Sequence, residues 1–285
     1  MTTQILQTLT LPAPAKLNLF LHILEQRSDG YHNLQTVFQL LDFGDELTIT
    51  RTNTPEITIE PHIDGLPTHK NLIYKAAKLL QNHKKTRTIL GAHIKLTKKL
   101  PMGGGIGGGS SNAATTLLAL NILWQTQLTI DELAELGRQL GADVPVFVRG
   151  HSAWAEGIGE QILPINLPEK WFLVLIPDCH VSTAQIFSHK ELTRGTSPIT
   201  VAAFLERGGK NDCQALVENI FPQVRDAVDW LSHYAHAQLT GTGACIFASF
   251  DSKRSAADVF ARRPNNLRGF IAQGINKSTV HNSLP

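Results

Sequence analysis

The chain has 285 residues, 42% apolar and 18% charged, with a formal net charge of +2. That apolar mass supports folded cores, excludes a disordered chain, and fits one large domain or two modest ones. The basic pairs Lys84-Lys85, Lys98-Lys99 and Arg262-Arg263 are scattered, so they do not form the concentrated basic stripe of a nucleic-acid binder.

In chain order, Ala15 to His22 alternates with period two and predicts a strand. Ala15, Leu17, Leu19 and Leu21 form its buried face, and Lys16 and Asn18 sit side by side on the other. Ser28-Asp29-Gly30 is a turn signal, followed by Tyr31 and His32. Glu46–Arg51 and Glu56–Glu60 alternate like further strands. Asn71–Gln81 reads as a helix with a stripe of Leu72, Ala76, Leu79 and Leu80. A strand at Ala92–Thr97 leads to Pro101 and a glycine loop, and Ser110–Trp124 predicts a helix. Thr129 and Glu132 have capping-box spacing and open a helix through Leu140, with Gly141 placed to end it and Asp143 and Pro145 just beyond. Phe172–Ile176 is a strand that begins a second unit. Thr183–Leu192 is a short helix, and Leu216–His233 holds two helical stretches around Pro222. Gln238–Phe250 is a turn between strands, and Gly269–Gly274 a last strand. A divide near residue 155 gives units of 1–155 and 156–285, an α+β organisation in two domains.

Cys179, Cys213 and Cys245 are odd in number and widely spaced, which argues against a disulfide framework or zinc site and for a reducing, cytoplasmic setting. Met1–Thr10 lacks the basic and apolar regions of a secretory signal, and no apolar run reaches the ~18 residues of a membrane span. The expectation is a soluble protein with no membrane partner.

The segment Pro101-Met102-Gly103-Gly104-Gly105-Ile106-Gly107-Gly108-Gly109-Ser110-Ser111 carries six glycines in seven positions, between a strand and a helix. Glycine lets a ligand approach backbone N–H groups closely, and a helix start adds unpaired donors and partial positive charge. Together these make a phosphate site, to which Ser110 and Ser111 add hydroxyls. A flexible linker rarely runs straight into an amphipathic helix. A P-loop needs Gly-Lys-Ser/Thr at its end, and no lysine stands there. A dinucleotide site wants an acidic residue about 20 positions on, at the end of a second strand, whereas Asp131 lies in a helix start.

The loop and the Asn112-Ala113-Ala114 after it resemble the ATP loop of the galactokinase, homoserine kinase, mevalonate kinase and phosphomevalonate kinase (GHMP) superfamily. Pro14-Ala15-Lys16-Leu17-Asn18-Leu19, Arg27-x-Asp29-Gly30-Tyr31-His32, Gly141-Ala142-Asp143-Val144-Pro145 and Leu239-Thr240-Gly241-Thr242-Gly243 resemble motifs of the branch that phosphorylates a cytidine diphosphate-linked methylerythritol. Ile106 and Thr240 are conservative departures, for leucine and serine.

The resemblance implies a ribosomal-protein-like ATP-binding domain, a ferredoxin-like C-terminal domain and an active site in the cleft between them. It implies ATP and Mg²⁺, with no protein ligands for the metal identified, and a kinase of non-mevalonate isoprenoid synthesis. Asp143 is then the base and Lys16 its charge partner, although residue by residue Asp143 reads equally as a turn and Lys16 as a solvated strand lysine. Asn71 and Lys98 line the adenine pocket, where the bland readings are a helix cap and a surface charge. Asn18, Tyr31, His32, Thr183, Phe187, Thr240 and Gly241 hold the cytidylyl substrate, with Phe187 closing one side of the base. A related kinase with another alcohol and an RNA-binding module are the rival readings, and monomer and homodimer both stay open.

Overall fold

A computed structural model describes residues 7–83, 85–86 and 90–285. The first six residues of the segment read for a secretory signal, and Lys84 of the first lysine pair, lie outside the described residues.

Strand β1 (Thr8–Gln26) and β2 (His32–Thr52) form one long antiparallel hairpin. Its turn closes where Arg27 N donates to Tyr31 O at 2.7 Å and Tyr31 N to Asp29 Oδ1 at 3.1 Å. Next come β3 (Ile57–Glu60), α1 (Leu72–Gln81), β4 (Gly91–Thr97), α2 (Gly108–Leu123), α3 (Ile130–Arg138) and α4 (Val144–Arg149). The hairpin β5 (Ala153–Gly157) and β6 (Gln161–Pro164) follows, then β7 (Trp171–Ile176), α5 (Thr183–Ser188), α6 (Val201–Arg207), α7 (Gln214–Ile220) and α8 (Pro222–Ser232). The chain ends with β8 (Gln238–Leu239), β9 (Ile246–Phe250), α9 (Lys253–Phe260), β10 (Arg268–Ile275) and α10 (Thr279–Ser283).

One mixed sheet runs through the molecule in the order β3-β4-β2-β10-β7-β9-β8, with β1 and β5 also on β2 and β6 on β5. Its sole parallel pair among the described residues is β3 with β4. Helices α1 to α4 cover one end, where Leu40, Leu47, Ile73, Leu80, Leu117, Leu120 and Phe147 form the first core. Helices α5, α7 and α8 cover the other, where Leu173, Ile186, Val217, Leu231 and Ile246 form the second. Between them Leu17, Leu100 and Ile106 pack with Val174, Cys245 and Phe247. The chain's end returns to the start: Val280 of α10 is in the first core.

One local expectation needs correction. The Lys16 face of β1 is not the open face of a half-buried strand: Lys16 and Asn18 are as buried as Ala15 and Leu17. The glycine loop and the turn after β8 cover that face, so alternation reports side-chain polarity there and not exposure. Asp143 and Pro145 lie beyond the end of α3 as expected, with Asp143 in the turn that leads into α4. They open α4, where proline costs no hydrogen bond because the first N–H groups of a helix have no intrahelical partner. Strands β5 and β6 and helices α4, α6, α9 and α10 were not anticipated. All are short, and α6 and α9 each bury a single residue.

Candidate active site

The glycine loop runs from β4 into α2 with Gly103, Gly105 and Gly107 at positive φ. Two of these glycines have steric reasons. A Cβ on Gly105 would collide with the Thr240 carbonyl oxygen, and one on Gly107 would lie 2.8 Å from the Phe147 ring and 3.1 Å from Cγ of Lys16. The loop is thus clamped between β1, α4 and the turn after β8. Lys16 N donates to Ile106 O at 3.0 Å, and Cys245 N to Gly104 O at 3.1 Å.

Lys16 is the hub of the site. Its Nζ donates to Asn18 Oδ1 at 2.5 Å and to Gly105 O at 3.0 Å, and stands 3.2 Å from Asp143 Oδ2. It also lies 5.4 Å from the centroid of the Phe38 ring. Lys16 is buried, whereas the Asp143 side chain keeps 32% of its exposure. Asp143 precedes α4 without capping it, so its carboxylate is available to the cleft. Asn18 is fixed in turn: its N donates to Thr240 Oγ1 at 2.9 Å and its Nδ2 donates to Thr36 Oγ1 at 2.9 Å.

Two cavities meet here. One of about 670 Å³ is lined by Lys16, Asn18, Asp143, Tyr31, His32, Phe187 and Gly241. The other, of about 470 Å³, is lined by Asn71, Lys98 and the whole of Pro101 to Ser110. Gly105, Gly107, Ser110 and Thr183 are common to both walls. Two of the residues singled out from the sequence line neither cavity. Ser111 is fully buried, and Thr240 stands behind the wall, holding Asn18 N and donating to Gly105 O at 3.3 Å. Asn71 lines the second cavity and also caps α1, its Oδ1 accepting from Ile73 N at 3.0 Å.

At the far end of the larger cavity, the His32 and Phe187 rings stack on each other with centroids 5.4 Å apart. No base fits between rings so close. Phe187 can therefore close only a clasp whose opposite wall is another residue. Tyr31, on the same cavity, is 62% exposed. Burial, and secondarily the Arg194 charge, hold His32 below the ordinary histidine range.

Sequence reasoning passed over three residues. Asp45 is fully buried under the loop's entrance. It accepts from Lys99 N at 2.7 Å, Leu100 N at 2.8 Å, Lys98 Nζ at 2.8 Å and Asn112 Nδ2 at 3.0 Å. Lys98 is thereby held at the second cavity's rim. Arg194 joins His32 to the end of α5. Lys70 adds a positive charge to the second cavity. Only Lys70 sits beside a residue the sequence had flagged. The partners of Asp45, and the bond of Arg194 to His32, are long-range contacts that no spacing reveals.

Residues 71–151 match the family model described as GHMP kinases N terminal domain, and residues 190–269 match GHMP kinases C terminal. A curated relative from Hahella chejuensis (strain KCTC 2396), named 4-diphosphocytidyl-2-C-methyl-D-erythritol kinase, is 54% identical over 98% of this chain and 97% of its own. One of the same name from Ectopseudomonas mendocina (strain ymp) is 56% identical over 97% and 94%. A crystal structure of 4-(cytidine 5'-diphospho)-2C-methyl-D-erythritol kinase is similar with a TM-score of 0.79 at 29% identity, covering 94% of this chain and 100% of that one. A mevalonate kinase crystal structure shares the fold alone, at 16% identity and a TM-score of 0.69 over 94% and 100% of the two chains. The chain therefore belongs to the 4-diphosphocytidyl-2-C-methyl-D-erythritol kinase family of the GHMP kinases.

Proposed function

We propose that this chain transfers the γ-phosphoryl group of ATP to the 2-hydroxyl of 4-diphosphocytidyl-2-C-methyl-D-erythritol, giving the 2-phosphate and ADP in the non-mevalonate route to isoprenoids. The observation that carries this reading is the Lys16–Asp143 pair, 3.2 Å apart beside the wall that the two cavities share. A kinase needs two substrates brought in line with a base at the acceptor oxygen, and little covalent chemistry of its own.

The second cavity takes the nucleotide. The N–H groups of the loop and the start of α2 face its phosphates, and Lys70 and Lys98 add charge at the rim. The larger cavity takes the alcohol. Asp143 accepts the proton of the attacking hydroxyl. Lys16, held by Gly105 O and Asn18 Oδ1, meets the negative charge that gathers on the transferred group. Because Lys16 is anchored before substrate arrives, its charge needs no reorganisation during transfer.

No cluster of three or more His, Cys, Asp or Glu among the described residues could hold a metal ion. That suits Mg²⁺, which rides mainly on nucleotide phosphates and its own waters and needs few protein ligands. Ser110, on the shared wall, offers the hydroxyl oxygen for it. Bound there, the metal would neutralise phosphate charge. The cytidine end of the alcohol lies against Tyr31, His32 and Phe187, which line the larger cavity.

The test is ADP release with ATP, Mg²⁺ and the cytidylyl alcohol, beside parallel reactions with mevalonate and homoserine and an RNA-binding titration. Turnover with the cytidylyl alcohol alone is expected. Turnover only with another alcohol, or salt-sensitive RNA binding without turnover, contradicts the reading.

A further inference from the structure

Arg194 lies in the segment between α5 and α6, and its guanidinium makes four hydrogen bonds. It donates to the carbonyls of Phe187 at 3.0 Å, His189 at 3.1 Å and Leu192 at 3.2 Å, so its position is set by the backbone at the end of α5. Its Nε–H points at Nε2 of His32, 3.0 Å away.

Arginine is always a donor and never an acceptor. A bond between Arg194 Nε and His32 Nε2 therefore requires a lone pair on Nε2. In a neutral imidazole that leaves the ring proton on Nδ1, and an imidazolium would set N–H against N–H. The depressed basicity of His32 agrees with this geometry. Nδ1 has no hydrogen-bond partner among the described residues, and His32 lines the larger cavity. His32 accordingly offers that cavity a donor and no acceptor. The stack against Phe187 at 5.4 Å fixes the ring plane in which that donor lies.

We propose that Arg194 is a positioning residue that locks His32 as an Nδ1–H donor toward the pyrimidine edge, and so makes the site select cytosine over uracil. The proposal rests on the substrate reading above. Cytosine has a bare acceptor at N3, whereas uracil carries a proton there. A fixed donor meets the first with a hydrogen bond and the second with a donor–donor clash. Sites that fix a polar group in this way reject the mismatched ligand strongly, because the buried group is left unpaired. A histidine free to change tautomer would accept both bases.

Two measurements test it. The first is steady-state kinetics of wild type, Arg194→Met, His32→Phe and the double variant, with the cytidylyl alcohol and with its uridylyl counterpart. Arg194→Met is expected to raise KM for the cytidylyl alcohol about tenfold, with much smaller changes in kcat and in KM for ATP. The cytosine-to-uracil preference should shrink to that of His32→Phe, and the double variant should shrink it no further. An unchanged preference in Arg194→Met, or independent losses that multiply in the double variant, would overturn the proposal.

The second needs no substrate and no variant of Arg194: nitrogen-15 NMR of the histidine side chains in the full wild-type chain, with His32 assigned by its absence in His32→Phe. The Nδ1–H tautomer is expected at neutral pH. An Nε2–H tautomer, or rapid exchange between the two, would overturn the proposal even if the kinase is active. Absence of turnover with either pyrimidine, beside a clean Nδ1–H signal, would instead indict the substrate reading.

Discussion

Replacing Asp45 with alanine should damage the molecule far more than its place between Gly44 and Glu46 suggests. Two backbone N–H groups, Lys99 and Leu100, and two side chains, Lys98 and Asn112, converge on its carboxylate. Removing the acceptor leaves one buried backbone donor, Leu100 N, and one part-buried, Lys99 N, without partners, at about 1–3 kcal/mol each. It also strands an ammonium group, although Lys98 keeps 28% exposure and a bond to Leu100 O, so water can recover part of that loss. The sum is about 3–5 kcal/mol, in the range seen when one partner of a buried ion pair is removed.

Asp45→Asn should cost less, about 1–2 kcal/mol. The amide oxygen can keep both backbone donors, and Asn112, whose Oδ1 is buried without a partner, can turn to accept from the new amide. Urea unfolding followed by tryptophan fluorescence should rank wild type, Asn and Ala in that order. KM for ATP should rise in the same order, because the anchored backbone leads directly into the loop. A loss under about 1 kcal/mol for Asp45→Ala, with KM for ATP unmoved, would refute the role of Asp45 as the loop's anchor.

Gly105→Ala forces a Cβ into the Thr240 carbonyl at a φ of +73°, so it should abolish turnover while leaving the second core folded; wild-type kcat in this variant would mean that the loop is not clamped. Stability should also fall in mild acid. Burial holds His22, His32 and His281 below their ordinary value of 6.5, so below that pH the unfolded chain binds more protons than the folded one. Their contribution is complete above about pH 6.5 and is lost as pH drops toward the depressed folded values. A melting temperature that stays flat from about pH 7 to pH 5 would contradict this.

The sequence made some of this molecule legible and hid the rest for physical reasons. The capping box at Thr129 and Glu132 forms as spelled, because a cap is a contact between neighbours. The glycine loop and the helix after it were equally clear, since only glycine tolerates the crowding at residues 105 and 107. Lys16 and Asn18 could be picked out as a pair, but their burial could not, because it comes from residues near 105 and 240 folding over them. Asp45 and Arg194 look like ordinary surface charges in the sequence. What makes them matter is where the remote amides of Lys99 and Leu100, and the remote His32 ring, end up. The contact between His32 and Phe187 shows the same limit, since motif resemblance names residues around a base without saying which of them touch each other.

The account stands most directly on Asp143. Asp143→Asn keeps the volume and the contact with the cleft but removes the base and the charge opposite Lys16. With ATP and the cytidylyl alcohol, kcat should fall by about 10²- to 10⁴-fold, while ATP binding, measured by calorimetry, stays near that of wild type. Near-full turnover in this variant would contradict the account, leaving phosphoryl transfer without a base and the Lys16–Asp143 pair as a purely structural contact.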